Sequence, residues 1–232
     1  MMVNLNMANI LVVAAHPDDE TLGCGATMSK HVENGDSVSV IIMGTGIASR
    51  KERGSDISSE LKKLRADCKA AISKIGVSDV SFFDFPDNAF DSVPLLSIVK
   101  AIEGVISQKK PSVIYTHHWG DLNVDHRLTF NAVMTASRPF NSPVQKILCF
   151  EVLSSTEWNV ANSANSFMPN VFVDVSKHLD RKITALSQYT SEMRDYPHPR
   201  SLKGNDYLAK YRGLIIGVAA AEAFELAREV VR

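Results

Sequence analysis

Short apolar runs alternate along the chain with longer segments whose apolar residues recur every three or four positions. Residues 10–14, 37–43, 80–83, 111–116, 147–152 and 171–175 are rich enough in Val, Ile and Phe to read as strands, the first of them as a buried parallel strand. Between them, 21–33, 59–75, 94–108 and 126–138 carry Leu, Ile, Val and Met at helical spacing, with Gly35 and Gly76 where helix C-caps are expected. Residues 176–189 read as a further helix, and Ala-rich 205–232 as a last helix or helix pair. Strands and helices in this order predict βαβ units with right-handed crossovers. The expected fold is α/β, a Rossmann-like three-layer α/β/α sandwich on a mostly parallel sheet. Without repeats or low-complexity linkers, residues 1–232 read as one domain.

Open α/β sheets gather ligands beyond the carboxyl ends of their strands. There the first strand delivers Ala15-His16-Pro17-Asp18-Asp19-Glu20. A divalent cation explains such crowding, because it cancels the repulsion between carboxylates. His16 and one aspartate would bind it, leaving the other aspartate for proton transfer. Asp18 or Asp19 is also expected to cap the following helix, with Glu20 in its first turn, but capping accounts for neither His16 nor the second aspartate. Pro17 keeps His16 out of the helical region, extending the strand to its tip.

The pattern returns after the strand at 111–116, in His117-His118-Trp119-Gly120-Asp121-Leu122-Asn123-Val124-Asp125-His126-Arg127. His117 and His118 read as structural. His126 falls in the first turn of a helix, whose dipole favours the neutral, ligating imidazole, and Asp125 beside it is placed to orient the ring. Two loaded tips on one parallel sheet can share an ion. The loop Gly44-Thr45-Gly46 has neither a GxGxxG pattern nor a Walker lysine and is expected beside the metal rather than around a phosphate. Polar residues 48–58 form a lid or, the better reading, a solvated loop. Asp87 is placed to face the site, although turn chemistry alone would explain it. Trp158 is a packed anchor or a platform for a sugar ring. His198, between Pro197 and Pro199, is presented by a rigid loop.

Composition narrows the partners. With 25 basic and 26 acidic residues the net charge is −1, which gives no electrostatic case for nucleic acid or an anionic membrane. The start of the chain lacks the basic region of a signal peptide, and the most apolar late segment, 213–221, is too short to span a bilayer. Three scattered cysteines suit a reduced, cytoplasmic protein. The expected partner is a small molecule, and homo-oligomerisation is left open.

The two clusters together resemble the LmbE-like, or PIG-L, zinc-dependent N-acetyl-sugar deacetylases. Support comes from 151–158, from Tyr196-Pro197-His198-Pro199-Arg200-Ser201, from Arg212-Gly213 and from 221–224, so the likeness runs nearly the whole length. The resemblance implies His16, Asp19 and His126 as ligands of Zn2+, with Fe2+ or another divalent metal as alternatives, and Asp18 as general base. It implies removal of acetate from an N-acetylated amino sugar, leaving a free amine. Several members carry a second histidine three residues before the ligand histidine, thought to stabilise the oxyanion, where this chain has Asn123. His198 is the expected replacement. Two other readings share these residues: a ferrous facial-triad oxygenase, which has no use for Asp18, and a non-catalytic sugar-binding protein on the same fold.

Overall fold

A computed structural model describes residues 7–47, 56–140 and 142–231; most of the polar 48–58 segment lies outside them. Seven strands form one sheet in the order β3-β2-β1-β4-β5-β7-β6. They are β1 (Asn9–Ala14), β2 (Ser37–Gly44), β3 (Asp79–Phe85), β4 (Val113–His117), β5 (Lys146–Phe150), β6 (Val171–Asp174) and β7 (Ala221–Glu229). The first five run parallel, and β7 lies antiparallel between β5 and β6. The helices are α1 (Asp19–Glu33), α2 (Ser58–Lys74), α3 (Leu95–Lys109), α4 (Val124–Ala136), α5 (Leu179–Leu186) and α6 (Leu202–Ile216). Among the described residues no helix is long and apolar enough to cross a membrane.

The pleat of β1 shows why its run is apolar throughout. Ile10, Val12 and Ala14 join the core under α1, α2 and α5, while Leu11, Val13 and Ala15 join the one under α3 and α4. Each fully buried Val, Leu or Ile is worth about 1.5–3 kcal/mol relative to exposure. β1 is thereby clamped from both sides, and its carboxyl end is a fixed point.

The order reverses at β1. The chain leaves outward through β2 and β3, then returns to place β4 on the other flank. Neighbouring strands whose connections diverge leave a crevice at their carboxyl ends, and here those ends are Ala14 and His117.

The C-terminal segment departs from expectation. Where a last helix or helix pair is expected over 205–232, a helix is followed by a strand: α6 stops at Gly217 in a left-handed conformation (φ 76°), and 221–229 fills the slot between β5 and β6. Ala-rich composition favours helix locally, but pairing with β5 on one edge and β6 on the other decides the outcome here.

One buried ion pair, from α5 and β7, packs against α1. At Cys24 the helix is kinked (φ −147°, ψ 25°), and Gly23 sits where a Cβ would strike the Phe150 ring at 2.3 Å. Lys182 donates to the Leu22 carbonyl (2.7 Å), and Glu222 accepts the N–H groups of Ala26 and Thr27 (3.1 and 2.6 Å). Lys182 and Glu222, themselves 2.7 Å apart and buried, thus satisfy backbone groups that a straight helix would pair internally. Lys182→Met should cost about 3–5 kcal/mol in urea unfolding, because it leaves the buried Glu222 carboxylate without its counter-ion. Adding Glu222→Gln should recover part of that loss.

Candidate metal centre

His16 lies two residues beyond the end of β1, and Asp19 opens α1. His126 lies in the first turn of α4, which Asn123 caps by accepting the Asp125 N–H at 2.8 Å. Strand tip, helix start and second helix start therefore place three donors together. One nitrogen from each histidine and one Asp19 oxygen lie within 4.8 Å of one another, all on buried residues. Asp19 Oδ2 is 3.4 Å from His16 Nδ1 and 3.2 Å from His126 Nε2. Its backbone anchor is the His16 N–H, at 2.8 Å.

The far nitrogen of each ring has its own carboxylate. His16 Nε2 meets Asp125 Oδ2 at 2.9 Å, and His126 Nδ1 lies 3.1 Å from Asp121 Oδ1. Those carboxylates are fixed in turn. Asp125 accepts the N–H groups of Asn88 and Phe90 (2.6 and 2.9 Å), and Asp121 accepts Thr156 Oγ1 at 2.6 Å, the Asn123 N–H at 2.8 Å and the Ser155 hydroxyl. Carboxylate behind imidazole is how proteins orient metal-binding histidines. The donor set therefore fits a divalent cation with open coordination positions. A second group, His16, Asp87 and Asp125, is equally close. Asp125 already receives three donors there, so it serves as the support of His16 rather than as a ligand.

Two expectations change here. Asp125 orients His16, not His126, because α4 turns its carboxylate toward β1; Asp121 does that work for His126. The His126 ring is also not kept neutral by the helix dipole. Burial opposes its charge, but the carboxylates of Asp19 and Asp121 on either side raise its pKa well above the usual histidine range. For His16, burial is likewise outweighed by hydrogen bonds to Asp125 and Asp19, which lift it to about 9. Metal-free, the cluster holds protons where a cation would sit.

His117 and His118 fit their structural reading. His117 accepts the Ala15 N–H on Nε2 at 2.8 Å and stacks on His126 with centroids 3.9 Å apart; burial holds it neutral, with a pKa near 3. His118 accepts the Gly120 N–H on Nδ1.

Asp18 has φ 122°, a conformation an L-residue adopts only under compulsion. Glu20 supplies it: its buried carboxylate takes the Asp18 N–H at 3.0 Å and is anchored by Thr21 Oγ1 (2.6 Å) and the Tyr189 hydroxyl. No side-chain cap forms at α1, contrary to expectation, because the carboxylate of Asp18 is spent on the site; the Thr21 and Leu22 N–H groups bond its carbonyl instead. Burial and the Asp19 charge push the Asp18 carboxyl well above its ordinary range, and Arg200 pulls the other way.

A cavity of about 250 Å³ opens over this cluster, lined by Asp18, Asp87, Asn88, Asn123, Glu192 and Arg200 besides the three donors. That is below the roughly 300–1,000 Å³ of sites for drug-sized ligands, and it is room for about one sugar ring. Gly46 borders it, with φ 77° and Pro17 2.8 Å from where a Cβ would stand, so the Gly-rich loop lies beside the centre as expected. His198 is not among the lining residues. Its Nδ1 accepts the Arg200 N–H at 3.1 Å and its ring meets the edge of Trp158, centroids 5.8 Å apart. Sequence reasoning gave no role to Arg200, Glu192 or Asn88, because only the folded loops bring them to the cavity.

Comparison with known proteins follows the same lines. A family model described as GlcNAc-PI de-N-acetylase, PIG-L, matches residues 11–137. An uncharacterised deacetylase of Escherichia coli K12, YaiS, is 29% identical over 78% of this chain and 90% of its own. A Bacillus cereus protein described as a probable N-acetyl-alpha-D-glucosaminyl L-malate deacetylase is 24% identical over 79% of this chain and 83% of its own. Among solved structures, the N,N'-diacetylchitobiose deacetylase of Pyrococcus horikoshii superposes with a TM-score of 0.77 at 18% identity, covering 95% of this chain and 84% of that one, which establishes the fold.

The raised histidines set a pH dependence. A histidine whose folded pKa exceeds its unfolded value of about 6.5 stabilises the fold below that value and loses the contribution as pH rises through the folded pKa. The metal-free protein should therefore lose stability between about pH 6.5 and 9. A bound cation displaces those protons, so the rise in melting temperature on adding Zn2+ should be larger at pH 9 than at pH 6.5 in thermal-shift measurements.

Proposed function

The chain belongs to the PIG-L family, and from that membership and the geometry of its centre we propose that it is a zinc-dependent N-deacetylase of a GlcNAc-type amino sugar. The observation that carries the reading is the placing of Asp18 and the His16–Asp19–His126 group on the wall of one cavity of about 250 Å³.

His16, Asp19 and His126 would hold the ion, with Asp125 and Asp121 fixing the two rings. When bound, the cation supplies Lewis-acid polarisation of the acyl oxygen and makes water acidic enough to attack near neutral pH. Asp18 is the base. It takes the proton of the attacking water as oxygen bonds to the acetamide carbon, and returns a proton to nitrogen as the C–N bond breaks. Acetate and a free amino sugar leave. A raised pKa suits a carboxylate that accepts and then returns a proton, and the backbone strain imposed through Glu20 holds it on target.

The remaining walls suit a neutral polyol. Asn88, Asn123 and Glu192 present amide and carboxylate groups of the kind that hydrogen-bond ring hydroxyls. Asn123 Nδ2 donates to Asn88 Oδ1 at 3.0 Å, so the two amides act as one braced pair. A facial-triad oxygenase would use the same three ligands but leaves Asp18, held in a strained conformation, without a task.

The reading is tested by incubating zinc-loaded protein with a panel of N-acetylglucosaminides and assaying free amine. Wild type should release amine from at least one of them. Asp18→Asn should bind zinc at the same stoichiometry and lose turnover by about 10²–10⁴-fold. Unchanged turnover in Asp18→Asn would exclude Asp18 as the base.

A further inference from the structure

The loop joining α5 to α6 brings Arg200 to the cavity, and Arg200 does not behave as a structural arginine. The contrast is within the molecule. Arg212 is fully engaged, its Nε and Nη2 both 2.8 Å from the two oxygens of Glu151. Arg200 makes only long contacts through one nitrogen, Nη1, at 3.4 Å from Asp18 Oδ2 and 3.9 Å from Glu192 Oε2. Its Nη2 has no acceptor and its buried Nε no partner among the described residues. Its backbone, by contrast, is pinned. The Arg200 N–H goes to His198 Nδ1, its carbonyl accepts the Arg194 N–H at 3.1 Å, and the next residue, Ser201, caps α6. A guanidinium held by its backbone, with one nitrogen loosely against the general base and the others without acceptors among the described residues, is placed for a ligand.

We infer that Arg200 is a catalytic residue that binds the acyl group of the substrate: it donates to the amide oxygen as negative charge develops there, and afterwards holds the acetate product by its carboxylate. The fork of an arginine matches two carboxylate oxygens, and a lysine offers only a point charge. The inference rests on the deacetylase reading and supplies what that reading lacked, a donor in place of the histidine that Asn123 replaces. His198 becomes a positioning residue: it braces the Arg200 backbone and does not itself reach the cavity.

The test compares wild type with Arg200→Ala, Arg200→Lys and His198→Ala, each zinc-loaded and checked for melting temperature and zinc content. Acetate binding is followed by titration calorimetry, and kcat and KM are measured on the best substrate of the panel. Arg200→Ala should weaken acetate binding at least about tenfold and lower kcat by about 10²–10³-fold, the range for loss of one oxyanion donor, with KM changed less than about threefold. Arg200→Lys should fall between the two, and should be read instead if the alanine variant does not fold. His198→Ala should lose less kcat than Arg200→Ala. Wild-type acetate affinity and kcat in Arg200→Ala overturn the inference, as does a larger loss in His198→Ala. If wild type releases no amine from any N-acetylglucosaminide, the deacetylase reading fails, while the acetate titrations still decide whether Arg200 binds a carboxylate.

Discussion

A single carboxylate oxygen, Asp19 Oδ2, stands between two buried imidazoles, and the rest of the molecule is arranged so that it can. Uncompensated charges this deep in a protein are costly. Here each is compensated in a chain: the carboxylate by the rings, each ring by a second carboxylate, and each of those by backbone N–H groups or hydroxyls from the loops after β3, β4 and β5. The chain of dependence ends on the strand tips. It works only because β1 and β4 are neighbours whose connections leave in opposite directions, so that residues more than a hundred positions apart meet over one crevice.

How much of this the sequence discloses follows from the range of each cause. The strands and their parallel order are legible because a strand buried on both faces must be apolar throughout, and β1 is. The three donors are legible because motifs of adjacent ionisable residues announce themselves, and a family resemblance assigns them. What fails is what depends on contact. Residues 221–229 look helical because alanine favours helix locally, whereas the slot between β5 and β6 is a property of the whole sheet. Asp125 adjoins His126 in sequence, yet α4 aims it at His16. The helix dipole suggests a neutral His126, but Asp19 and Asp121, brought in by the fold, act over shorter distances than the partial charge of a helix end.

The loop between α5 and α6 illustrates the same point for function. Its sequence draws the eye to His198, a histidine framed by prolines, and the fold uses that histidine to steady its neighbour. Glu192 and Arg200, ordinary in the sequence, are the side chains that arrive at the cavity. Their common background is the Lys182–Glu222 pair and the kinked α1, which fix where α5 packs and hence where the loop begins. The loop, Asn88 and Asn123 share the cavity wall with the two strand tips, so residues from distant parts of the chain meet at one site.

The claim on which everything else depends is that His16, Asp19 and His126 share one cation. X-ray absorption at the zinc edge of the zinc-loaded protein measures that most directly. The account predicts one zinc per chain with two imidazole nitrogens at about 2.0–2.1 Å and a carboxylate oxygen at about 2.0–2.2 Å, the imidazole contribution halved by His126→Ala. A first shell with no imidazole, or one unchanged in His126→Ala, would contradict it.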